Sequence, residues 1–89
     1  MMIRQTVTVL FEEGMHIRPA NDLVQITAQF QSDIQFERDD ETADGKSVME
    51  IMMLGAEQGH ELQVTVEGED EQAAMDAVTA FFNGKDGQS

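Results

Sequence analysis

Cysteine, tryptophan and tyrosine are absent from this 89-residue chain, and proline occurs once, at position 19. Without cysteine there is no disulfide scaffold, no thiolate metal site and no cysteine nucleophile. Basic residues are scarce too. Five lysines and arginines stand against eighteen aspartates and glutamates, a formal net charge of −13. Nucleic acid and anionic membrane surfaces reward lysine and arginine, so neither is expected as the main partner. Long apolar runs are also missing. The densest, residues 48–54, is interrupted by Glu50, far short of the roughly 20 residues a membrane span needs. The start, Met-Met-Ile-Arg-Gln, has no basic segment followed by an apolar stretch, so no secretory signal is expected. These absences predict a cytoplasmic protein with no membrane insertion.

What remains is enough for one small domain. The chain is 40% hydrophobic with five phenylalanines, and it must fold on that apolar core alone. Residues 3–10 are β-branched and roughly alternating, with Ile3, Val7 and Val9 on one face, which predicts a strand. Glu12-Glu13-Gly14 reads as a turn. From Ile17 to Phe30 the period changes. Ala20, Leu23, Val24, Thr27 and Phe30 form one helical stripe, and Pro19 sits in the first turn, where its missing N–H costs nothing.

Alternation returns at 33–38, with Ile34 and Phe36 inward, and a short strand is expected at 41–44. Ser47 and Glu50 have the spacing of a capping box, opening a short helix that Gly55 stops. Residues 61–67 place Leu62, Val64 and Val66 on one face. Gly68-Glu69-Asp70-Glu71 opens the last helix with carboxylates, as its dipole prefers, and Ala74, Ala77, Val78 and Phe81 form its stripe. The predicted order is β-α-β-β-α-β-α. This is an α+β open-faced sandwich, a four-stranded antiparallel sheet covered on one face by three helices. A single domain is expected over residues 1–84, followed by a polar tail at 85–89.

Few residues here can carry chemistry. The two histidines, His16 and His60, have no carboxylate partners at metal-ligand spacing, so neither a metal site nor a bound cofactor is expected. Most carboxylates fall on turns and outward positions. His16 stands where the first turn meets the first helix, and the free N–H groups of a helix start face outward there. A phosphoryl group on its imidazole would be stabilised by those N–H groups and by Arg18. The plainer reading is an incidental histidine at a helix start.

The local string decides between them. Gly14-Met15-His16-Ile17-Arg18-Pro19-Ala20 resembles the active-site pattern Gly-Leu-His-x-Arg-Pro-Ala of the HPr family, the histidine-containing phosphocarriers of the bacterial sugar phosphotransferase system. Methionine replaces leucine. A second string, Lys46-Ser47-Val48-Met49-Glu50-Ile51-Met52-Met53-Leu54-Gly55, resembles the family's serine region. The spacing between the two needs no gap, and the element order is the family's.

The resemblance implies a role for each motif position. His16 would accept a phosphoryl group from Enzyme I and pass it to a sugar-specific component of EIIA type. Arg18 would orient the phosphate and Pro19 fix the helix start. Ser47 matches a regulatory serine, the target of an HPr kinase/phosphorylase in some bacteria, where the modified protein acts on a catabolite-control regulator. Such regulatory relatives often lack the histidine, and this chain keeps it. Glu50 stands one turn after Ser47, where its charge would repel a phosphate. Both helix starts are expected at one end of the molecule, with Met15, Ile17, Val48, Met49, Met52 and Met53 contributing an apolar collar around His16 for partner binding. Enteric members carry lysines around that patch, where this chain has Gln25, Ala28 and Glu50. A monomer is expected.

Overall fold

The computed structural model describes residues 1–84, so the expected polar tail lies outside the described residues. The elements are β1 (Met2–Thr8), α1 (Ile17–Thr27), β2 (Asp33–Arg38), β3 (Glu41–Asp44), α2 (Val48–Met53), β4 (Glu61–Glu67) and α3 (Glu71–Phe82). Every strand pairing is antiparallel, in the order β1-β4-β2-β3. The fold is the expected α+β open-faced sandwich.

The central strand explains the register. On β4, Leu62, Val64 and Val66 point into the core and are fully buried. Val66 lies opposite Ile3 on one side and Ile34 on the other, and Val64 lies opposite Phe36. A slip of one residue would turn this whole apolar set to solvent, so the pattern holds the pairing. Helix α3 lays Ala74, Met75, Val78, Phe81 and Phe82 on the sheet. Phe82 packs against both Phe36 and Phe81, with ring centroids 6.1 and 5.3 Å apart, and Phe11 covers Phe81 at 5.4 Å. Four of the five phenylalanines thus form one cluster, whose tilted and edge-on contacts suit aromatic pairs.

Two elements end earlier than the sequence predicts. β1 stops at Thr8, because beyond it the partner chain turns away. Val9 instead exchanges bonds with the loop, its N–H donating to the His60 carbonyl and its own carbonyl accepting from Gly59. α1 stops at Thr27. There the Thr27 hydroxyl donates to the Gly45 carbonyl at 2.7 Å, and the Gln29 and Phe30 N–H groups close tight turns onto Ile26 and Thr27. Thr27 is polar and fully buried, so that bond satisfies a hydroxyl that would otherwise be costly to bury.

The start of α3 carries the expected carboxylates, with Asp70 at the N-cap and Glu71 in the first turn. Asp70 is the N-cap residue, yet its carboxylate does not cap α3. It reaches across to the α1–β2 connection and accepts from the Gln31 and Ser32 N–H groups and the Ser32 hydroxyl. The Ser32 hydroxyl, then the Gln31 N–H, holds the Asp70 carboxyl below the usual carboxylate range. Glu71 instead receives the Gly68 N–H.

This linkage sets a pH dependence. A depressed carboxyl contributes stability that is complete above its unfolded pKa of 3.8 and is lost as pH falls through the lower folded value. Asp70→Asn should therefore lower the melting temperature by a constant amount at neutral pH, and the gap to wild type should close below pH 3.8. Thermal unfolding across a pH series checks this, and a gap that widens in acid would contradict it.

Candidate phosphoryl-transfer site

The site begins with a backbone constraint. Gly14 has φ +78, and a Cβ there would lie 2.8 Å from the Ala56 carbonyl oxygen and 3.1 Å from Glu57 Cα. Both the conformation and the space require glycine. The next residue seals the contact, with the Met15 N–H donating to the Ala56 carbonyl at 2.9 Å. The Glu12-Glu13 turn is closed by the bond from Gly14 N–H to the Phe11 carbonyl. The chain then enters α1 with His16 as its N-cap.

His16 has extended backbone angles, its carbonyl accepts from the Ala20 N–H, and its side chain makes no capping bond. The imidazole is thus left for other work, with its side chain half exposed at 49%. Glu13 Oε1 lies 3.5 Å from Nε2. The first turn of α1 contains no carboxylate, and the N–H groups of Ile17 and Arg18 have no acceptor among the described residues. Partial positive charge therefore gathers beside the ring.

Arg18 is exposed and has no ion pair or side-chain hydrogen bond among the described residues. The other described cations are engaged. Arg4 contacts Gln63 and Glu37, Arg38 donates to the Leu54 carbonyl and approaches Asp39, and Lys46 donates to the Phe30 carbonyl at 2.7 Å.

The apolar residues divide. Ile17, Met49 and Met53 are exposed at 62%, 72% and 72%, and Val48 and Met52 are half-buried. These five line one open apolar groove on α1 and α2. Met15 does not join them. It is 3% exposed and belongs to the core, because the Ala56 bond turns its side chain inward. The expected collar loses that member, and Met15 becomes the anchor under the histidine.

A second expectation also fails. The two helix starts lie at opposite ends of the helix pair, since Thr27 in the last turn of α1 bonds Gly45 just before α2. Eleven residues of α1 rise about 16 Å, so Ser47 stands well away from His16. Ser47 does cap α2, accepting from the Glu50 N–H at 3.2 Å. The reciprocal half of the capping box is absent. Glu50 Oε1 accepts from the Asp44 N–H instead, and the Ser47 N–H donates to the Asp44 carbonyl.

Sequence reasoning does not single out Glu13, Ala56 or Glu57. Glu13 carries a signal, its i,i+3 spacing to His16. Ala56 carries none, because it acts through its backbone carbonyl.

The buried and exposed methionines should separate by stability. Met15→Ala should cost about 2–5 kcal/mol as a core truncation, and Met49→Ala or Met53→Ala about 0.5 kcal/mol or less. The glycines give a parallel contrast. Gly14→Ala meets both strain and the Ala56 carbonyl, and should cost about 2–3 kcal/mol. Gly55 has φ +64 with open space around its would-be Cβ, so Gly55→Ala should cost roughly 1 kcal/mol. Urea unfolding of the four types of variant measures each difference.

Comparison with known proteins agrees with this geometry. The family model described as the PTS HPr component phosphorylation site matches residues 3–84. A phosphocarrier protein HPr of Treponema pallidum is 42% identical over 84 residues, covering 94% of this chain and 96% of the relative. The solved structure of HPr-C-His from Thermoanaerobacter tengcongensis superposes with a TM-score of 0.90 at 34% identity, covering 98% of both chains. The Bacillus subtilis catabolite repression protein Crh, solved as a swapped dimer, gives 0.76 at 34% identity, covering 93% of this chain and 95% of that one. With the motif on a helix start and the family model spanning nearly the whole chain, this protein belongs to the HPr family of the phosphotransferase system.

Proposed function

We propose that this chain is a phosphocarrier in which His16 takes a phosphoryl group from phosphorylated Enzyme I and hands it to an EIIA-type sugar-specific component. The observation that carries the reading is the exposed His16 imidazole at the N-terminus of α1, beside N–H groups and an Arg18 side chain that have no partner among the described residues. The imidazole lone pair attacks phosphorus as the bond to the donor breaks. The Glu13 carboxylate beside Nε2 would repel a phosphoryl group there, so Nδ1 is the accepting atom. The added charge then falls near the helix N–H groups and the Arg18 guanidinium, which offers a fork of donors. The reading needs no bound cofactor, since phosphate is cargo.

The groove of Ile17, Val48, Met49, Met52 and Met53 is the docking surface in this reading. Methionines suit it, because their flexible thioethers can repack against more than one partner. No helix among the described residues is long and apolar enough to cross a membrane, which fits a carrier that diffuses through the cytoplasm as a monomer between docking sites.

Regulation through Ser47, by an HPr kinase/phosphorylase acting toward a catabolite-control regulator, is the second reading. The similarity to Crh favours it. The local charge opposes it. A phosphoryl group on Ser47 would sit between the Asp44 segment and Glu50, and would displace the N-cap bond.

Incubation with phosphoenolpyruvate and Enzyme I of the same organism, read by intact-protein mass spectrometry, tests the carrier. One acid-labile phosphoryl group is expected, absent in His16→Ala, with both proteins folded. A wild-type protein that stays unmodified would transfer the weight to Ser47.

A further inference from the structure

We propose that the groove beside His16 docks a partner-protein face that presents apolar side chains ringed by lysine and arginine. The proposal rests on the carrier reading and adds the chemistry of the partner.

Among the described residues, charge around the groove is mostly negative. Glu12 and Glu13 are exposed in the turn before His16. Glu57 is exposed, and its Cα lies against Gly14. Glu50 turns away from the groove, its carboxylate accepting from the Asp44 N–H and lining the open-face cavity with Asp33 and Glu67. Among the described residues, Arg18 stands at the His16 end against Glu12, Glu13 and Glu57, and the phosphoryl group would itself occupy it. Arg4 and Lys46 are held by the internal bonds already described. Arg38, bonded to the Leu54 carbonyl, stands beside Met53 but shares that place with the three carboxylates of Asp39, Asp40 and Glu41. Gln25 on α1 and Ala28 just after it are exposed and uncharged.

The occupant follows from charge complementarity. Interfaces of this kind join an apolar centre to a polar rim, and rim charges set the rate and the choice of partner. Carboxylates that outnumber cations around the groove among the described residues, on a chain of net charge −13, repel an acidic protein face. The same charge disfavours a second copy of this chain, whose own acidic rim would meet the first. A basic rim around an apolar centre answers both features together.

The test compares wild type with a rim variant, Glu12→Gln/Glu57→Gln. His16, Glu13 and Arg18 are untouched. A control variant, Asp33→Asn/Glu67→Gln, removes as many charges at the far end of the sheet, where Glu67 pairs with Met2 and Asp33. Affinity for Enzyme I of the same organism is measured by calorimetry from about 0.02 to 0.5 M salt, with phosphoryl transfer assayed on the same samples.

Wild-type binding should weaken at least about fivefold over that range, and the rim variant should bind about fivefold more weakly at low salt, with the control near wild type. Binding that is absent, unaffected by salt or strengthened by it, or a rim variant that binds as well as wild type, overturns the proposal. Salt-sensitive, rim-dependent binding without phosphoryl transfer upholds the docking surface and overturns the carrier reading, so the two fail separately.

Discussion

The hydrogen bond from the Met15 N–H to the Ala56 carbonyl is the constraint on which the site depends. It joins the loop before α1 to the loop before β4, two segments far apart in sequence. Only glycine at 14 lets the backbones come this close, because a side chain there would strike the same carbonyl. The bond turns Met15 inward. With 15 facing the core, 16 must face out, and the helix begins with an imidazole at its N-cap that caps nothing. The exposed histidine is thus the result of a buried methionine. The loop that supplies Ala56 is itself tied down, by Val9 bonding both Gly59 and His60 and by the Glu57 N–H donating to His60 Nδ1. His60, the second histidine, holds the platform under the first.

Acidity shapes the rest of the surface. With so few cations, where each one goes matters. Arg4 bridges strands on the open face, Arg38 and Lys46 hold the ends of elements, and Arg18 is left beside His16. Asp70 shows a carboxylate used in the opposite sense, gathering three donors at the α1–β2 connection rather than facing solvent. Hydrogen bonds to its charged form offset the repulsion expected of one more negative group.

Much of the fold is legible in the sequence, because each element has a clean period and a chemical stop. Val64 and Val66 alternate on a strand that is buried on one face, so pattern and register agree. Ser47 caps α2 as its spacing predicts. The failures share one cause. Phe82 and Met75 join the core although they extend beyond the simple stripe of α3, since the sheet beneath is wide enough to take them. Thr27 ends α1 through a bond to Gly45, and Glu50 deserts the capping box for Asp44. Met15 follows the Ala56 carbonyl. Each depends on a partner brought near by tertiary structure, often a backbone atom, which side-chain identity does not reveal. His16, Arg18 and Ser47 were legible because they belong to contiguous motifs. Their arrangement was not, since the antiparallel run of α1 and α2 separates the two helix starts.

That separation bears on what a single small domain could do if, as proposed, both His16 and Ser47 were modified. If both sites shared one helix end, charge on one would act directly on the other. Here the groove lies between them, with Ile17 at the His16 end and Val48 beside Ser47. A partner that covers the groove touches both ends at once. Charge added at Ser47 would therefore act on His16 through the docked partner and the cap of α2, rather than through space, where exposed charges this far apart are largely screened. In this chain Glu50 already places a permanent negative charge at the Ser47 end. In the carrier reading, the partner that docks at His16 meets that charge from the first encounter. A docking face that tolerates it has less to lose from a phosphoryl group at Ser47 than one built for a neutral rim.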